Sequence, residues 1–342
     1  MKIKLLYIGN KLSKHGVSPT SVETLGPLLQ QDFDVHLVSN KKSKIIRLFD
    51  MLFSIVKYRK TVDYILIDTY SSSAYYFSLS CGLLANFLGL KYIPILRGGN
   101  LETRIHKSSK LTNAFFNNAF KLVSPSGFLK QIFENCGYSN IVVIPNNIQI
   151  ENYNFRQRSA LTPKLLWVRS FADYYNPELA IYILKNLLSH YPQAELCFVG
   201  PDKDGTQKKC MALTEELELQ KYIKFTGKLS KKDWSKLAQD YDIFISTTNI
   251  DNTPVSVIEA MALGLIVVST NVGGVPHVIA SESNGHLFEA NNIEDGTNQI
   301  LKILQNSSTQ IEQNKNMSEN ARKTAETWDW KAVRLKWLDI LK

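Results

Sequence analysis

Short runs of β-branched and aromatic residues alternate with longer amphipathic stretches along the whole chain. In the first half the runs are KIKLLYI, DVHLVS, DYILI, KYIPIL, KLVS and NIVVI, and in the second half they are KLLWV, ELCFVG, YIKFTG, DIFIS and LIVVS. Strands this apolar, separated by segments of helix length, indicate parallel sheets covered by helices on both faces. The pattern predicts an α/β chain with two doubly wound, Rossmann-like domains in tandem.

A polar stretch, NNIQIENYNFRQRSALTP, separates the two sets of runs and predicts a domain boundary. We expect a first domain at residues 1–158, a second at 159–327, and a closing helix at 328–342 that returns to the first domain. This amphipathic helix is predicted by apolar positions at near-helical spacing, namely Trp330, Val333, Leu335 (or Arg334 at its edge), Trp337, Leu338 and Leu341. Because open α/β sheets bind ligands at the carboxyl ends of their strands, we expect the site in a cleft between the two domains.

The bulk composition is that of a globular protein, with 342 residues of which 44% are hydrophobic. Cys81, Cys136, Cys197 and Cys210 show no metal-ligand spacing, so buried free thiols are expected rather than disulfides or zinc ligands. The apolar run in MKIKLLYIGN is too short for a signal peptide. SSSAYYFSLSCGLLANFLGL is interrupted by serines and glycines, which favours a buried helix over a membrane span. A cytoplasmic protein is expected.

The positive charge of the chain is concentrated in its first half. Residues 1–158 carry 20 Lys and Arg against 9 Asp and Glu, whereas the remainder carries 20 against 22. Such a half can bind nucleic acid, an anionic membrane surface or a phosphorylated substrate. The segment KKSKIIRLFDMLFSIVKYRK suits an anionic bilayer, and a core helix with solvated lysines is the alternative. No base-stacking pattern or nucleic-acid module is visible, so nucleic acid is not expected as a partner.

The stretch DNTPVSVIEAMALG places two carboxylates, Asp251 and Glu259, around the start of an apolar helix. Thr253 is a candidate N-cap with Pro254 at the first helical position, and Gly264 follows the last turn. The amides at such a helix start favour a phosphate group. An unpaired Glu259 among apolar neighbours would be costly, so we expect it to meet a polar group; the alternative is an exposed glutamate on the helix edge.

Residues 242–292, from DIFISTTNIDNTPVSVIEAMALGLIVVSTNVGGVPHVI to SNGHLFEANN, resemble the donor-binding signature of retaining glycosyltransferases of family 4. That signature is Glu, seven residues, Glu, then Ala-Met-Ala, a Gly, an apolar strand and a Gly-Gly turn. The resemblance implies the GT-B fold, with an acceptor-binding and a donor-binding Rossmann-like domain facing a cleft. It also implies metal-independent transfer, with retained configuration, from a nucleoside-diphosphate sugar, first of all a UDP-sugar, to a saccharide acceptor.

The resemblance further implies roles for individual residues of the second domain. Glu259 would accept hydrogen bonds from the ribose hydroxyls of the donor. Arg169 and Asp251 would be the catalytic residues, binding the diphosphate and the hydroxyls of the donor sugar respectively; for Arg169 a surface ion pair is the alternative. The other residues that would line the donor are Gly200, Lys228, Leu229, Asn252, Thr253, Pro254 and Val255.

Three departures from the family pattern bear on the chemistry of the site. Asp251 is one methylene shorter than the family's Glu, and Tyr174 occupies the place of a Lys five residues after the Arg, so that Lys228 or Arg97 would have to supply charge. Arg97 also opens a loop where many relatives carry a histidine. The acceptor side would be lined by the loops after the first and fourth strands, through Gly9, His15, Gly16, Arg97, Gly98 and Gly99.

Two further patterns in the loops bear on cofactors. The loop after the first strand lacks GxGxxG, which counts against a nicotinamide site, and it is followed by a capping box at Thr20 and Glu23. Asp202-Lys203-Asp204 is similar to a metal-binding Asp-x-Asp motif, but a solvated turn is the favoured interpretation. No metal site or cofactor is therefore expected.

The favoured function is a retaining glycosyltransferase acting in bacterial polysaccharide or cell-envelope assembly, at the inner face of the plasma membrane. The basic first half suggests a lipid-linked saccharide as the acceptor. A nucleotide-sugar epimerase or a phosphorylase of the same architecture, and a non-catalytic subunit that binds a sugar nucleotide, remain as alternatives.

Overall fold

The computed structural model describes residues 2–16, 19–98, 101–106 and 110–342. The chain divides into two compact units. The first consists of Met1–Asn147 together with Val333–Lys342, and the second of Ile148–Ala332.

The described residues of the first unit form a six-stranded sheet in which every strand pairing is parallel. Its strands are β1 (Lys4–Ile8), β2 (Asp34–Val38), β3 (Tyr64–Tyr70), β4 (Tyr92–Arg97), β5 (Leu122–Ser124) and β6 (Ile141–Val143), in the order β2-β1-β3-β4-β5-β6. Its helices are α1 (Ser21–Leu29), α2 (Lys44–Tyr58), α3 (Tyr75–Phe87), α4 (Leu101–His106), α5 (Lys110–Asn117) and α6 (Gly127–Asn135).

The second unit contains another six-stranded parallel sheet. Its strands are β7 (Lys164–Val168), β8 (Glu195–Val199), β9 (Ile223–Phe225), β10 (Ile243–Ser246), β11 (Ile266–Thr270) and β12 (His286–Phe288), in the order β12-β11-β10-β7-β8-β9. The helices are α7 (Pro177–Leu188), α8 (Thr206–Glu216), α9 (Lys231–Leu237), α10 (Val255–Ala262), α11 (Ile293–Ile303) and α12 (Ser308–Glu326). Helix α13 (Trp330–Ile340) begins in the second unit and ends in the first.

The side chains of each strand are buried on both faces of the sheet. In β7, Leu165 and Trp167 belong to one hydrophobic cluster, whereas Leu166 and Val168 pack with the cluster on the opposite face. This alternation is the reason that the strands appear in the sequence as continuous apolar runs. The predicted α/β fold with two Rossmann-like sheets is thus confirmed, and all eleven predicted runs contain strands.

Strand β12 is an element that the sequence pattern did not reveal. It is only three residues long, contains His286, and pairs with β11 at one edge of the sheet. Its strand conformation comes from the pairing with β11.

The domain boundary lies earlier in the chain than predicted. We expected it after residue 158, whereas the two units divide between Asn147 and Ile148. Arg158 explains the difference, since its buried guanidinium donates hydrogen bonds to the carbonyl oxygens of Ala238 and Tyr241 in the second unit. A polar stretch that reads as a linker is therefore part of a folded unit.

The closing helix forms, but one of its predicted apolar positions is wrong. Val333 and Trp337 are buried, whereas Leu335 is 63% exposed. Arg334 instead makes a specific contact, donating from Nε to Asp32 at 2.6 Å. The spacing from Val333 to Trp337 puts those two residues on the face opposite Leu335.

The cysteines match the predicted buried free thiols except for Cys136, and the longest apolar segment forms a helix as predicted. All four cysteines are free; Cys81, Cys197 and Cys210 are buried, and Cys136 is partly exposed. Burial raises the pKa of Cys81 and Cys210 to about 12, so that their thiols stay protonated at neutral pH. The segment around α3 forms a helix within the first unit, and no helix among the described residues has the length and apolarity to cross a membrane.

Candidate functional site

The sheet of the second unit has a topological switch point between β7 and β10. From β7 the chain continues outward to β8 and β9, whereas β10, β11 and β12 lie on the other side. Loops that leave neighbouring strands in opposite directions open a crevice at their carboxyl ends. A small open recess lies at this point, and its lining includes Arg169, Tyr175, Thr247, Asp251, Pro254 and Ser256.

An ion pair between Arg169 and Asp251 lies in the recess. Arg169 follows β7 and donates from Nη2 to Oδ2 of Asp251, in the loop after β10. The guanidinium also lies 4.4 Å from the ring centroid of Tyr175. Burial by itself lowers the pKa of Arg169, but Asp251 and Tyr175 raise it, so the pKa lies above its ordinary value. The pair therefore presents a permanent cation and a carboxylate at the switch point.

Gly200 allows the loops beneath this ion pair to approach each other. It has φ +154°, and a Cβ built at this position would lie 1.6 Å from the carbonyl oxygen of Arg169. Any side chain here would displace the backbone that carries Arg169. The predicted residue thus touches the site through its backbone, and only a glycine fits.

The Gly273-Gly274 turn supports Asp251 in the same way. A Cβ on Gly273 would lie 2.2 Å from the carbonyl oxygen of Asp251, and one on Gly274 would lie 1.9 Å from that of Asn252. The Gly274 amide donates to the Asp251 carbonyl oxygen at 2.8 Å. The two glycines are therefore required by close backbone contact with the loop that holds Asp251.

The start of α10 differs from the predicted one. Pro254 is the N-cap rather than the first helical residue, and no side chain caps the helix. The Thr253 amide donates to Oδ1 of Asp251 at 3.0 Å, so Asp251 organises this turn. The hydroxyl of Thr253 is buried and has no hydrogen-bond partner among the described residues. The predicted cap fails because Asp251 already binds the local amide; the predicted end at Gly264, with φ +79°, is confirmed.

Glu259 is buried within α10 and has two polar partners. It is 5% exposed, and its Oε1 accepts from the Tyr153 hydroxyl at 2.7 Å and from Lys231 Nζ at 2.6 Å. The alternative of an exposed glutamate is therefore wrong. Burial and the Glu259 carboxylate together raise the pKa of Tyr153 far above its ordinary value, so the phenol remains a hydrogen-bond donor.

Tyr153 and Lys231 were missed by the sequence analysis. Tyr153 lies in the stretch that reads as a domain boundary, and no local pattern marks it. Lys231 begins α9, three residues after the predicted Lys228. Lys228 is exposed, and Leu229 packs against a hydrophobic core cluster. The lysine that reaches Glu259 is therefore Lys231, the second of the three lysines in the KLSKK run.

Tyr174 occupies the position where a second cation was expected. Its ring centroid lies 4.2 Å from that of Tyr175, and its hydroxyl accepts from Lys203 Nζ at 2.6 Å. The two rings, tilted by 54° to each other, thus connect Lys203 with Arg169. Lys228 and Arg97 were predicted to supply the missing charge, but it is Lys203 that contacts Tyr174.

The Asp202-Lys203-Asp204 segment is a turn at the start of α8. Asp202 Oδ1 accepts from the Gly205 amide at 2.9 Å, and Asp204 Oδ1 accepts from the Thr206 amide at 3.2 Å. Both carboxylates are thus engaged in local backbone hydrogen bonds. Across the part of the chain that the structure describes, no three His, Cys, Asp or Glu side chains are grouped as metal ligands.

In the first unit, Arg97 belongs to a buried polar cluster at the end of β4. Its Nε donates to Oδ1 of Asp68 at 3.3 Å, and its Nη1 donates to the side chain of Asn146. The Tyr7 hydroxyl donates to the same Asp68 oxygen at 3.0 Å. Burial raises the pKa of Asp68 above its ordinary value, against the opposing effects of Arg97 and Tyr7.

The other predicted first-unit residues lie at loop ends. Gly9 leaves space for the side chain of Asp68, because a Cβ at this position would lie 2.7 Å from Oδ2 of Asp68. His15 is exposed with Nε2 3.0 Å from the Asn40 carbonyl oxygen, and Gly16 follows it with φ +81°. Gly98 has φ +141°, and Gly99 is outside the described residues.

Comparison with known families and proteins bears on this site. The model of a family described as Glycosyl transferases group 1 matches residues 150–324, which include both β7 and the whole of α10. The chain is 28% identical over 162 residues to the sulfoquinovosyl transferase SQD2 of Arabidopsis thaliana, an alignment that covers 46% of this chain and 30% of the relative. The chain thus spans less than a third of that relative's length, and 44% of that of an uncharacterized glycosyltransferase of Haemophilus influenzae.

A more distant relative aligns over nearly the whole chain. It is the UDP-Gal:alpha-D-GlcNAc-diphosphoundecaprenol alpha-1,3-galactosyltransferase of Escherichia coli, 22% identical over 367 residues, with 94% of this chain and 92% of the relative covered. Among solved structures, Anabaena HepE in complex with UDP has a TM-score of 0.75 at 16% identity, covering 100% of this chain and 99% of that one. Sucrose-phosphate synthase from Thermosynechococcus elongatus has a TM-score of 0.76 at 14% identity, with 99% and 98% covered. These structures establish the likeness of fold.

Proposed function

The chain belongs to the glycosyl transferases group 1 family, and from this premise we propose that it transfers a sugar from a nucleoside-diphosphate sugar to a saccharide acceptor. One observation carries the proposal. The Arg169–Asp251 ion pair lies at the switch point of the sheet, beside helix α10, which contains the buried carboxylate of Glu259. We further propose membership of family 4, transfer with retention of the anomeric configuration, and no requirement for a metal.

Glu259 binds the ribose hydroxyls of the donor in this proposal. The Tyr153 hydroxyl and the Lys231 ammonium donate to its carboxylate and orient it. Lys231 is the more replaceable partner, because its side chain is 73% exposed and can move into solvent when a ligand arrives. Lys228 and Leu229 precede it in the same loop and are assigned to the base side of the donor.

Arg169 is assigned to the donor diphosphate. A guanidinium has five N–H donors in a planar fork that matches two phosphate oxygens. The ion pair with Asp251 engages Nη2, which leaves other donors for a phosphate. Backbone amides around Asn252 to Val255 at the start of α10, other than Pro254, which has no N–H, add partial positive charge. Lys203, which reaches the site through Tyr174, is the second cation in this scheme.

The reaction proceeds by attack on the face from which the diphosphate departs. The bond between the sugar's anomeric carbon and the phosphate oxygen breaks, and a bond from that carbon to the acceptor oxygen forms. The acceptor proton moves to an oxygen of the departing phosphate. Arg169 and the helix-end amides stabilise the negative charge that develops there, an effect that commonly amounts to several kcal/mol. Asp251 holds hydroxyls of the donor sugar.

We propose a UDP-sugar as the donor and a lipid-linked saccharide as the acceptor, in bacterial polysaccharide or cell-envelope assembly at the inner face of the plasma membrane. The printed name of the Escherichia coli relative supports this choice, since it names a UDP-sugar donor and a diphosphoundecaprenol acceptor. The structure of Anabaena HepE, solved in complex with UDP, supports uracil as the base of the donor nucleotide. The acceptor side is assigned to Gly9, His15, Gly16, Arg97, Gly98 and Gly99 in the first unit.

A donor screen by thermal unfolding tests the donor assignment. A ligand at about 100 times its Kd stabilises the folded state by about 2.7 kcal/mol, so a UDP-sugar should raise the melting temperature clearly. Glu259→Gln should abolish this shift, because the amide replaces one of the two acceptor oxygens that bind the ribose hydroxyls with a donor. Glu195→Gln is the matched control, since Glu195 forms a Glu–Lys pair with Lys164 at 2.9 Å on the surface.

Product analysis then separates transfer from its alternatives. Retained configuration at the new linkage is expected when donor and acceptor are both present. An altered sugar nucleotide from the donor alone would indicate an epimerase. Donor binding without turnover across all acceptors would indicate a non-catalytic subunit.

A further inference from the structure

Helix α2 carries its large apolar side chains on its solvent side. Ile45, Ile46, Phe49 and Phe53 are between 57% and 70% exposed, and Val56 is 39% exposed. We call these five residues the α2 apolar stripe. The buried side of the helix consists of Arg47, Met51, Ser54 and Ile55. A surface helix ordinarily turns its apolar face inward and its polar face outward. Helix α2 instead exposes apolar surface that does not pack in the core of the first unit.

The stripe occupies one side of the helix. Ile45, Phe49, Phe53 and Val56 follow one another at intervals of four, four and three residues, which places them on a single face. The interpretation of this segment as a core helix is therefore wrong for these residues, although Met51 and Ile55 do pack in the core.

Polar contacts on the buried side fix the helix in this orientation. Arg47 Nη1 donates to the Lys41 carbonyl oxygen at 2.9 Å, and its guanidinium lies 5.4 Å from the ring centroid of Phe77 on α3. Rotating the stripe inward would break both contacts and expose Met51 and Ile55. The exposure of the stripe is thus a fixed property of the fold.

Exposed cations lie at both ends of the stripe. They are Lys41, Lys42 and Lys44 before it, and Lys57, Arg59 and Lys60 after it. Between Lys41 and Lys60 the chain has a single acid, Asp50, and its Oδ2 accepts a hydrogen bond from the Ser39 hydroxyl. The surface therefore combines an apolar centre with cationic ends, and its one carboxylate is already engaged.

We propose that the α2 apolar stripe and its flanking lysines dock on an anionic lipid bilayer, with the helix lying in the plane of the interface. Apolar side chains enter the boundary of the acyl chains while lysines bind the headgroups, which is the arrangement of interfacial amphipathic helices. At fifteen residues the helix is too short to span a bilayer.

A bilayer fits this surface better than a second copy of the chain does. In a symmetric dimer the stripe of one protomer would face the stripe of its partner, and six cations from each would be brought together. Their repulsion opposes such a pairing, whereas anionic headgroups neutralise both ends of the stripe at once. The proposal deepens the proposed function by placing the chain where a lipid-linked acceptor would be, but it rests on this surface and not on the assignment of the reaction.

Co-sedimentation of the full chain with vesicles tests the proposal, without donor or acceptor. Binding is expected with vesicles of phosphatidylcholine mixed with phosphatidylglycerol, and not with phosphatidylcholine alone. Phe49→Ser combined with Phe53→Ser should weaken binding at least about tenfold, because two exposed apolar anchors are removed at constant charge. Lys41→Ser, Lys42→Ser and Lys44→Ser together should weaken it by about fivefold per lysine at low salt.

Matched variants in the second unit are the controls. Lys208→Ser, Lys209→Ser and Lys221→Ser remove the same charge from exposed positions elsewhere, and Met211→Ser removes an apolar side chain that is 46% exposed. Both should bind the vesicles like the unchanged chain. Thermal unfolding should confirm that the Phe49 and Phe53 changes, at exposed positions, leave the fold intact.

Three outcomes would overturn the proposal. The unchanged chain could fail to bind anionic vesicles, or the serine variant of Phe49 and Phe53 could bind as well as the unchanged chain, which would leave only electrostatic attraction. Alternatively, ultracentrifugation could show a dimer that the same variant converts to monomers, which would make the stripe a self-association surface. The donor-induced thermal shift is independent of all three, so failure here would leave the proposed function standing.

Discussion

At the scale of single residues, the two carboxylates of the α10 region are each matched by a cation. Asp251 pairs with Arg169, and Glu259 with Lys231 and the Tyr153 hydroxyl. Buried carboxylates without such partners would be costly, so the need for a partner is evident from the sequence. The identity of the partners is not, because Lys231 and Tyr153 are distant from Glu259 along the chain.

The planar geometry of the Arg169 guanidinium is expected to contribute more to sugar transfer than its positive charge does. Arg169→Lys keeps the cation but loses the planar group that lies over Tyr175 and bonds Asp251. We expect kcat/KM for sugar transfer to fall by about a hundredfold to a thousandfold, the range for loss of one preorganised donor to a developing negative charge. Steady-state kinetics with a UDP-sugar would measure the effect.

Arg156→Lys is the control for this change. Arg156 forms another Arg–Asp pair in the second unit, with Asp242 at 2.6 Å, outside the recess. It should retain nearly full activity. If both variants lost activity equally, general destabilisation rather than phosphate binding would explain the result.

At the scale of elements, the ends of β7, β8 and β10 are fitted together through glycines. The loop after β8 passes so close to Arg169 that only Gly200 is accommodated, and the Gly273-Gly274 turn lies against the loop after β10. The sequence shows these glycines as parts of a motif. Their physical role is to permit backbone contact that places Arg169 and Asp251 side by side.

Gly200→Ala is expected to destabilise the second unit by more than about 3 kcal/mol, because left-handed strain adds to a direct clash with backbone. Gly205→Ala is the matched control: it has φ +89° but nothing within 4 Å of its Cβ, so only the strain of about 1–2 kcal/mol applies. Urea unfolding measures both. Equal losses at the two positions would show that the clash is relieved by a small loop movement.

Helix α2 shows the limit of pattern analysis for an element. Its apolar spacing correctly predicts a helix, but spacing alone does not tell which face is buried. Here contacts of Arg47 and Met51 with the rest of the first unit decide the orientation, and the larger apolar residues face solvent.

At the scale of the whole molecule, the chain ends by completing the unit in which it began. Arg334 pairs with Asp32, and the Tyr64 hydroxyl donates to the carbonyl oxygen of Lys342 at 2.7 Å. Val333, Trp337 and Leu341 are buried. The last ten residues are therefore part of the first unit, although nearly two hundred residues of the second unit precede them.

Trp337→Ala should accordingly lower the free energy of unfolding by about 3–5 kcal/mol, as expected for a buried tryptophan. Leu335→Ala, on the exposed side of the same helix, should change it by less than about 0.5 kcal/mol. Denaturant unfolding followed by circular dichroism would compare them. A similar loss in both variants would mean that the burial of Trp337 does not determine the effect.

The sequence by itself determined the two parallel sheets, the eleven strands β1 to β11, the end of α10 at Gly264 and the location of Asp251 and Glu259, because these depend on local apolar pattern, turn residues and ordered spacing. The tertiary structure alone decided the partners of those carboxylates, the strand β12, the boundary at Asn147 and the outward face of α2. Each of these depends on contacts between residues far apart in the chain, and the energy of such a contact leaves no periodic trace in either of the segments that make it.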